Sequence, residues 1–172
     1  MGCDKADLDC GGRSFLDLQI QKGLQLGIRD ILISGYRKSR SDIRIVEDRF
    51  PEKGPLGGLE ASLRAAAHQR CLVLSVDTPL IPVLELQRLL DADRHSSAPI
   101  TILKSDGKEQ PLIGVYDRTL ADAMLKEIQN FHGSVFAFIN RIGYETYESS
   151  APAEFFSNLN TPEEYRALLS KY

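Results

Sequence analysis

The run Cys71-Leu72-Val73-Leu74-Ser75-Val76 constrains this chain more than any other stretch. Its side chains are apolar at nearly every position, as in a parallel strand covered on both faces. The neighbouring segments fit that frame. Residues 14–26 place Leu16, Ile20 and Leu24 at helical spacing, and Gly27 supplies an αL stop. Residues 31–33 (Ile-Leu-Ile), closed by Ser34-Gly35, read as a buried strand, and residues 43–46 as a weaker one. Residues 59–67 bring Leu59, Leu63 and Ala67 to one helix face, and residues 84–90 return to helical spacing. This β-α-β-α order predicts an α/β fold with a mostly parallel central sheet and helices on both faces.

The second half reads differently. Residues 100–103 and 112–116 are strand-like and flank a polar turn containing Asp106-Gly107, which predicts a hairpin or a long connection. Residues 121–128 and 135–142 read as helices and 144–148 as a strand. A last helix spans 164–169, with Thr161 as cap, Pro162 at its first position and Glu164 completing a capping box.

A chain of 172 residues with no repeat or composition break predicts one domain. At 42% hydrophobic and 26% charged residues, disorder, collagen and coiled coil are excluded. The balance of 21 basic to 24 acidic residues, a net charge of −3, argues against broad binding to nucleic acid or an anionic membrane. No apolar run approaches a membrane span, and the amino-terminal residues lack the apolar core of a signal peptide. Cys3, Cys10 and Cys71 form no C-x-x-C pair, which points to reduced thiols in the cytoplasm rather than disulfides or zinc. The three histidines do not cluster, and no G-x-S-x-G or P-loop occurs.

Four segments carry chemistry as well as fold information. Lys5, beside Asp4, could neutralise a phosphate, although on position alone a solvated surface pair is the better reading. Gly54-Pro55-Leu56-Gly57-Gly58 precedes a helix whose first N–H groups could meet an anion, or it is an ordinary loop-to-helix turn. Asp77 follows the buried strand at its carboxyl end, where open α/β sheets bind ligands. A carboxylate there can hold Mg²⁺, a reading we prefer to a helix cap or a turn around Pro79. Asn158 and Asn160, one residue apart, share a face in extended backbone and could grip a polar ligand, unless they only form an Asx turn into the capped helix.

Taken in order, these segments resemble the molybdenum cofactor guanylyltransferase family. That family opens on a strand, a loop of the form L-A-G-G-x-x-x-R-M-G-x-D-K and a helix. Met1-Gly2-Cys3-Asp4-Lys5 matches the tail of this signature, and Gly12-Arg13-Ser14-Phe15-Leu16 its helix entry. Val46-Glu47-Asp48 with Gly54-Pro55-Leu56-Gly57-Gly58 is similar to the family's acidic residue and G-P-L-x-G loop. Val76-Asp77-Thr78-Pro79 resembles its C-D-x-P segment, and Gln110-Pro111-Leu112 with Gly114-Val115-Tyr116 its P-L-x-G-x-Y. Asn158-Leu159-Asn160-Thr161-Pro162-Glu163 matches the closing N-x-N-T-P-E/D.

The resemblance implies a Rossmann-like nucleotidyltransferase that moves GMP from GTP to molybdopterin or molybdenum cofactor with Mg²⁺, releasing pyrophosphate. It implies catalytic roles for Lys5 and Asp77, with Asp77 on the metal. Lys5, Asp48, Gly54, Pro55, Leu56 and Gly57 would bind the nucleotide, and Asn158 and Asn160 would face the acceptor. Transient partners from the same cofactor pathway are implied too. A related enzyme using another nucleotide or phosphorylated acceptor, or a nucleotide-binding module without turnover, remains as alternative. Met1 stands where the family's R-M-G stands. Residues 1–172 are therefore expected to be a single nucleotidyltransferase-like domain truncated at its amino end, lacking the first strand and most of the glycine-rich loop.

Overall fold

Alternating apolar runs and amphipathic segments produce six strands and six α-helices among the described residues of the computed structural model. It describes residues 5–8, 12–36, 38, 40–130 and 134–170, without the side chains of Lys5, Pro162, Leu168 and Leu169. Helix α1 spans Phe15–Gln25, α2 Pro55–Ala65, α3 Val83–His95, α4 Ala121–Asn130, α5 Val135–Ile142 and α6 Pro162–Leu169. Strands β1 (Leu32–Ser34) and β2 (Arg44–Val46) pair in parallel. Strands β3 (Arg70–Leu74), β4 (Ile100–Ser105), β5 (Lys108–Asp117) and β6 (Glu145–Ser149) form a second sheet in the order β3-β5-β4-β6. In it, β5 runs antiparallel to β3 and β4, while β4 and β6 are parallel. The α/β layout therefore holds: β3, β4 and β6 run one way, and β5, the reversed member, makes two of this sheet's three ladders antiparallel.

That reversal comes from the hairpin open in the sequence. Asp106 and Gly107 sit at φ 48° and 71°, the positive pair that a two-residue I′ turn requires, and Ser105 faces Lys108 across it. Period-2 alternation then sorts the main sheet into two cores. Ile100, Ile102 and Tyr116 point to α2, α4 and α5, where Leu63, Met124 and Phe138 are buried. Leu103, Ile113 and Val115 point the other way, onto Leu86 and Leu89 of α3 and onto Phe156.

The strand from the 71–76 run differs from expectation in two respects: it pairs antiparallel, with β5, and it is less buried. Helices cover its faces, but β3 lies at an edge of its sheet, and all five of its residues are only half-buried. The reason is an apolar cavity of about 900 Å³ between β3 and β1. Leu32, Ile33 and Ser34 line it on one side and Cys71, Leu72 and Val73 on the other. Successive residues of a strand point to opposite faces, so a cavity touching them consecutively runs along the strand's edge. The two edges run the same way. At their amino ends, Ala67 N–H donates to Asp30 at 3.0 Å. At their carboxyl ends, Tyr36 and Val76 pack on one cluster with Ala6, Leu16, Ile20 and Ile43.

Candidate active site

The carboxyl ends of β1, β2 and β3 gather most of the residues singled out in the sequence. Asp77 lies in the turn after β3, and its backbone is held from several directions. Ser75 N–H donates to the Leu112 carbonyl at 2.9 Å, which continues the β3–β5 ladder by one residue. Thr78, almost fully buried, returns its hydroxyl to the Ser75 carbonyl at 3.0 Å. The Ser75 hydroxyl donates to the Asp77 carboxylate. Helix α3 starts at Val83 with Pro82 before it, so Asp77 does not cap that helix. The helix-cap alternative for Asp77 is thereby removed.

The asparagine segment meets this turn directly. Leu159 N–H donates to the Asp77 carbonyl at 2.7 Å. Leu159 is buried beside Phe15, with Val76 and Leu80 against it, while Asn158 and Asn160 on either side are exposed. A buried apolar anchor thus sits between two exposed asparagines beside the Asp77 turn. The segment is extended but belongs to neither sheet. The capping box also forms: Glu164 N–H donates to the Thr161 hydroxyl at 3.2 Å, and the Glu164 carboxylate accepts from Thr161 N–H at 3.3 Å and also from Asn160 N–H at 2.6 Å. The cap accounts for Thr161 to Glu164 and for the Asn160 backbone, and leaves the Asn158 side chain unexplained by it.

On the other side of the cavity, Asp48 follows β2. Its carboxylate accepts from Phe50 N–H at 2.8 Å. Gly54, at φ 60°, turns the chain into α2, which begins at Pro55. The loop expected over 54–58 is therefore already helix from its second residue. Pro55 fits the first helical position because it has no N–H to leave unpaired. Leu56 is buried in the main core and anchors this first turn. Gly57 packs against the Asp48 loop: a Cβ there would lie 2.6 Å from the Phe50 carbonyl oxygen and 2.8 Å from Asp48 Oδ1. Gly57→Ala is accordingly expected to destabilise the fold by about 1–3 kcal/mol, read as a lower urea midpoint. An unchanged midpoint would show that the loop gives way freely.

Several contributors were not singled out from the sequence. Arg49 bridges to the fully buried Glu60 of α2 at 2.8 Å and lies over the Phe50 ring, tying the Asp48 loop to the helix. The Ser34 hydroxyl, at the end of β1 beside Gly58, is buried with no hydrogen-bond partner. Gln19 and Lys22 on α1 reach the Asp77 turn. Gln19 Nε2 donates to the carbonyls of Ser75 (2.6 Å) and Thr78 (3.1 Å). Lys22 Nζ donates to Gln19 Oε1 at 3.0 Å and to the Pro79 carbonyl. Burial pushes the Lys22 ammonium down to about 8. The only signal for this pair was a polar stripe, Gln19 and Lys22, at helical spacing from Phe15.

Met1, Gly2, Cys3, Asp4, Cys10 and the side chain of Lys5 lie outside the described residues. The short turn Lys5–Asp7 is described, and Ala6 is buried in the cluster that Val76 packs against, next to Asp77. Tyr36 donates to Asp7 at 2.9 Å and Lys38 pairs with it at 2.8 Å, which ties this turn to the end of β1. The Lys38 hydrogen bond, with help from Tyr36, holds the Asp7 carboxyl below its ordinary range against the opposing effect of burial. Among the described residues, no three His, Cys, Asp or Glu side chains gather as a metal cage, and no helix is long and apolar enough to cross a membrane. A lone carboxylate with a neighbouring hydroxyl still fits Mg²⁺, which keeps water and phosphate oxygens and needs only one or two carboxylates from the protein.

Comparison with known proteins bears on the family and the fold. The family model described as MobA-like NTP transferase domain matches residues 1–141. A "Probable molybdenum cofactor guanylyltransferase" of Carboxydothermus hydrogenoformans is 32% identical over 176 residues, covering 98% of this chain and 88% of the relative. A molybdenum cofactor guanylyltransferase of Rhizobium meliloti is 33% identical, covering 96% and 83%. Among solved structures, molybdopterin-guanine dinucleotide biosynthesis protein A of Archaeoglobus fulgidus superposes with a TM-score of 0.77 at 19% identity, over 99% of this chain and 93% of the other. A 2-C-methyl-D-erythritol 4-phosphate cytidylyltransferase of Thermus thermophilus reaches 0.72 at 15% identity, over 98% and 94%. At these identities the structural likeness speaks for the fold.

Proposed function

Because the chain belongs to the family of MobA-like NTP transferase domains, and is thus a nucleotidyltransferase of molybdenum cofactor biosynthesis, we propose that it transfers GMP from GTP to molybdopterin or molybdenum cofactor in the cytoplasm. An acceptor phosphate oxygen attacks the α-phosphorus of GTP in line. The bond from that phosphorus to the bridging oxygen of the β-phosphate breaks, and pyrophosphate leaves with the electron pair. Such a transfer is mostly positioning and charge neutralisation. One observation carries the reading: the Leu159 N–H on the Asp77 carbonyl, which joins the carboxylate turn to the asparagine segment.

In this reading Asp77 holds Mg²⁺, which when bound neutralises phosphate charge as a Lewis acid. Asp48 and the start of α2, with Gly54, Pro55, Leu56 and Gly57, frame the guanine nucleotide. Lys5 neutralises phosphate. Asn158 and Asn160, beside the Asp77 turn, donate to the acceptor's phosphate or pterin edge. Pyrophosphate release from GTP in the presence of Mg²⁺ and molybdopterin tests the reaction, with CTP as competitor. Release with GTP that a tenfold excess of CTP leaves unchanged is expected. Release from CTP instead would reassign the nucleotide.

The second reading is nucleotide binding without turnover. The Asp48 side and the Asp77 side of the site rest on separate sheets. Saturable GTP binding with no pyrophosphate release would support it.

A further inference from the structure

We propose that Gln19 and Lys22 of α1 are positioning residues for Asp77: they clamp its turn from the helix side and so fix where its carboxylate points. The inference rests on the reading of Asp77 as the metal-holding residue.

The hydrogen bonds around the turn motivate it. The carbonyls of Ser75, Thr78 and Pro79 accept from Gln19 Nε2 or Lys22 Nζ. The Asp77 carbonyl accepts from Leu159 N–H on another side. A turn whose carbonyls are taken up on two sides has little freedom to rotate its peptide planes. The Asp77 side chain, anchored by the Ser75 hydroxyl, follows the backbone. Both α1 residues are buried, Gln19 at 8% and Lys22 at 9% relative exposure. Removing an ammonium from water is costly, and an apolar residue of similar length would fill the same space without that cost. An amine and an amide that share one hydrogen bond and end on three carbonyls of one turn fit a role in orientation better than one in packing. Helix α1 gives them a rigid base. It is capped by Ser14 in a reciprocal box with Asp17, whose carboxylate also takes Arg40 at 2.7 Å. Phe15 buries its first turn against Leu159, so the helix touches both halves of the Asp77 clamp.

The test compares wild type with Gln19→Met, Lys22→Met and Asp77→Ala, all at pH 7. Mn²⁺ replaces Mg²⁺, and free Mn²⁺ is counted by electron paramagnetic resonance with GTP present. Amide exchange is followed at Leu159. The two methionine variants keep side-chain volume, and each tests the clamp without the other. Asp77→Ala is expected to weaken Mn²⁺ binding most, and each methionine variant by about tenfold. Protection of the Leu159 amide should fall in both methionine variants while amides in β4 and β5 keep theirs. Where turnover is measured, kcat should fall with the KM for GTP within about twofold. Wild-type Mn²⁺ affinity in both methionine variants, alongside weakened binding in Asp77→Ala, would overturn the positioning role alone. Uniform loss of protection across the sheet would overturn it too, by showing a general structural role. Unchanged binding in Asp77→Ala would instead remove the metal reading on which the inference stands.

Discussion

Asp77→Asn is expected to lower guanylyl transfer about a thousandfold, ~4 kcal/mol of transition-state stabilisation, with little change in thermal stability. The substitution keeps the size of the side chain and removes only its charge. The turn itself stays in place, because its backbone carbonyls are held by Gln19, Lys22 and Leu159 and none of these bonds uses the carboxylate. The Ser75 hydroxyl can donate to an amide oxygen as it does to the carboxylate. In the proposed mechanism, what is lost is the anionic ligand for the dication, and with it much of the charge neutralisation at the α-phosphate. Pyrophosphate release at saturating GTP, paired with a melting curve, separates the two effects. Equal rates in the variant and the wild type would take Asp77 out of the mechanism.

Stability between pH 8 and pH 10 is expected to rise in the wild type relative to Lys22→Met. Burial lowers the Lys22 ammonium from its ordinary 10.5 to about 8. Between those values the unfolded chain holds a proton that the folded chain has released, so raising the pH favours the folded state. The gain is fully absent below about pH 8, where both states are protonated, and reaches about 2–3 kcal/mol by pH 10. Tyr36, Tyr116, Tyr144 and Tyr147 are held above their ordinary value of 10.0, so they oppose this trend at the alkaline end. They do so equally in both proteins and cancel in the difference. Urea midpoints at pH 7, 8, 9 and 10 check the slope. Parallel curves for the two proteins would mean that Lys22 is not buried as a titrating ammonium. The same lysine that steadies the Asp77 turn thus weakens the fold at neutral pH, a familiar tension between site geometry and stability.

What was legible in the sequence was local. The 71–76 run announced a strand, the Asp106-Gly107 pair a hairpin, and Thr161 with Glu164 a capped helix, because each rests on the chemistry of a few adjacent residues. The 54–58 segment was legible in composition but not in boundary. Gly54 and Pro55 together suit a turn followed at once by a helix, and reading for apolar periodicity finds α2 only from Leu59. The network of Gln19 and Lys22 was not legible. Periodicity weighs apolar positions, and a glutamine beside Leu16 and Ile20 looks like surface until a partner from a distant turn covers it. The meeting of Leu159 with Asp77 was hidden for the same reason: it joins two segments that only the folded sheet brings together.

The division of the strands into two separate ladders has a mechanical meaning. Ladder hydrogen bonds are directional and fix neighbouring strands in register, whereas helices packed over a gap hold by contacts that tolerate sliding. Across the cavity, the Asp48 side and the Asp77 side are joined by the second kind of link, through α1 and α2. No strand ladder fixes the distance between them. A nucleotide touching both sides would act as a cross-brace between two ladders that share no strand.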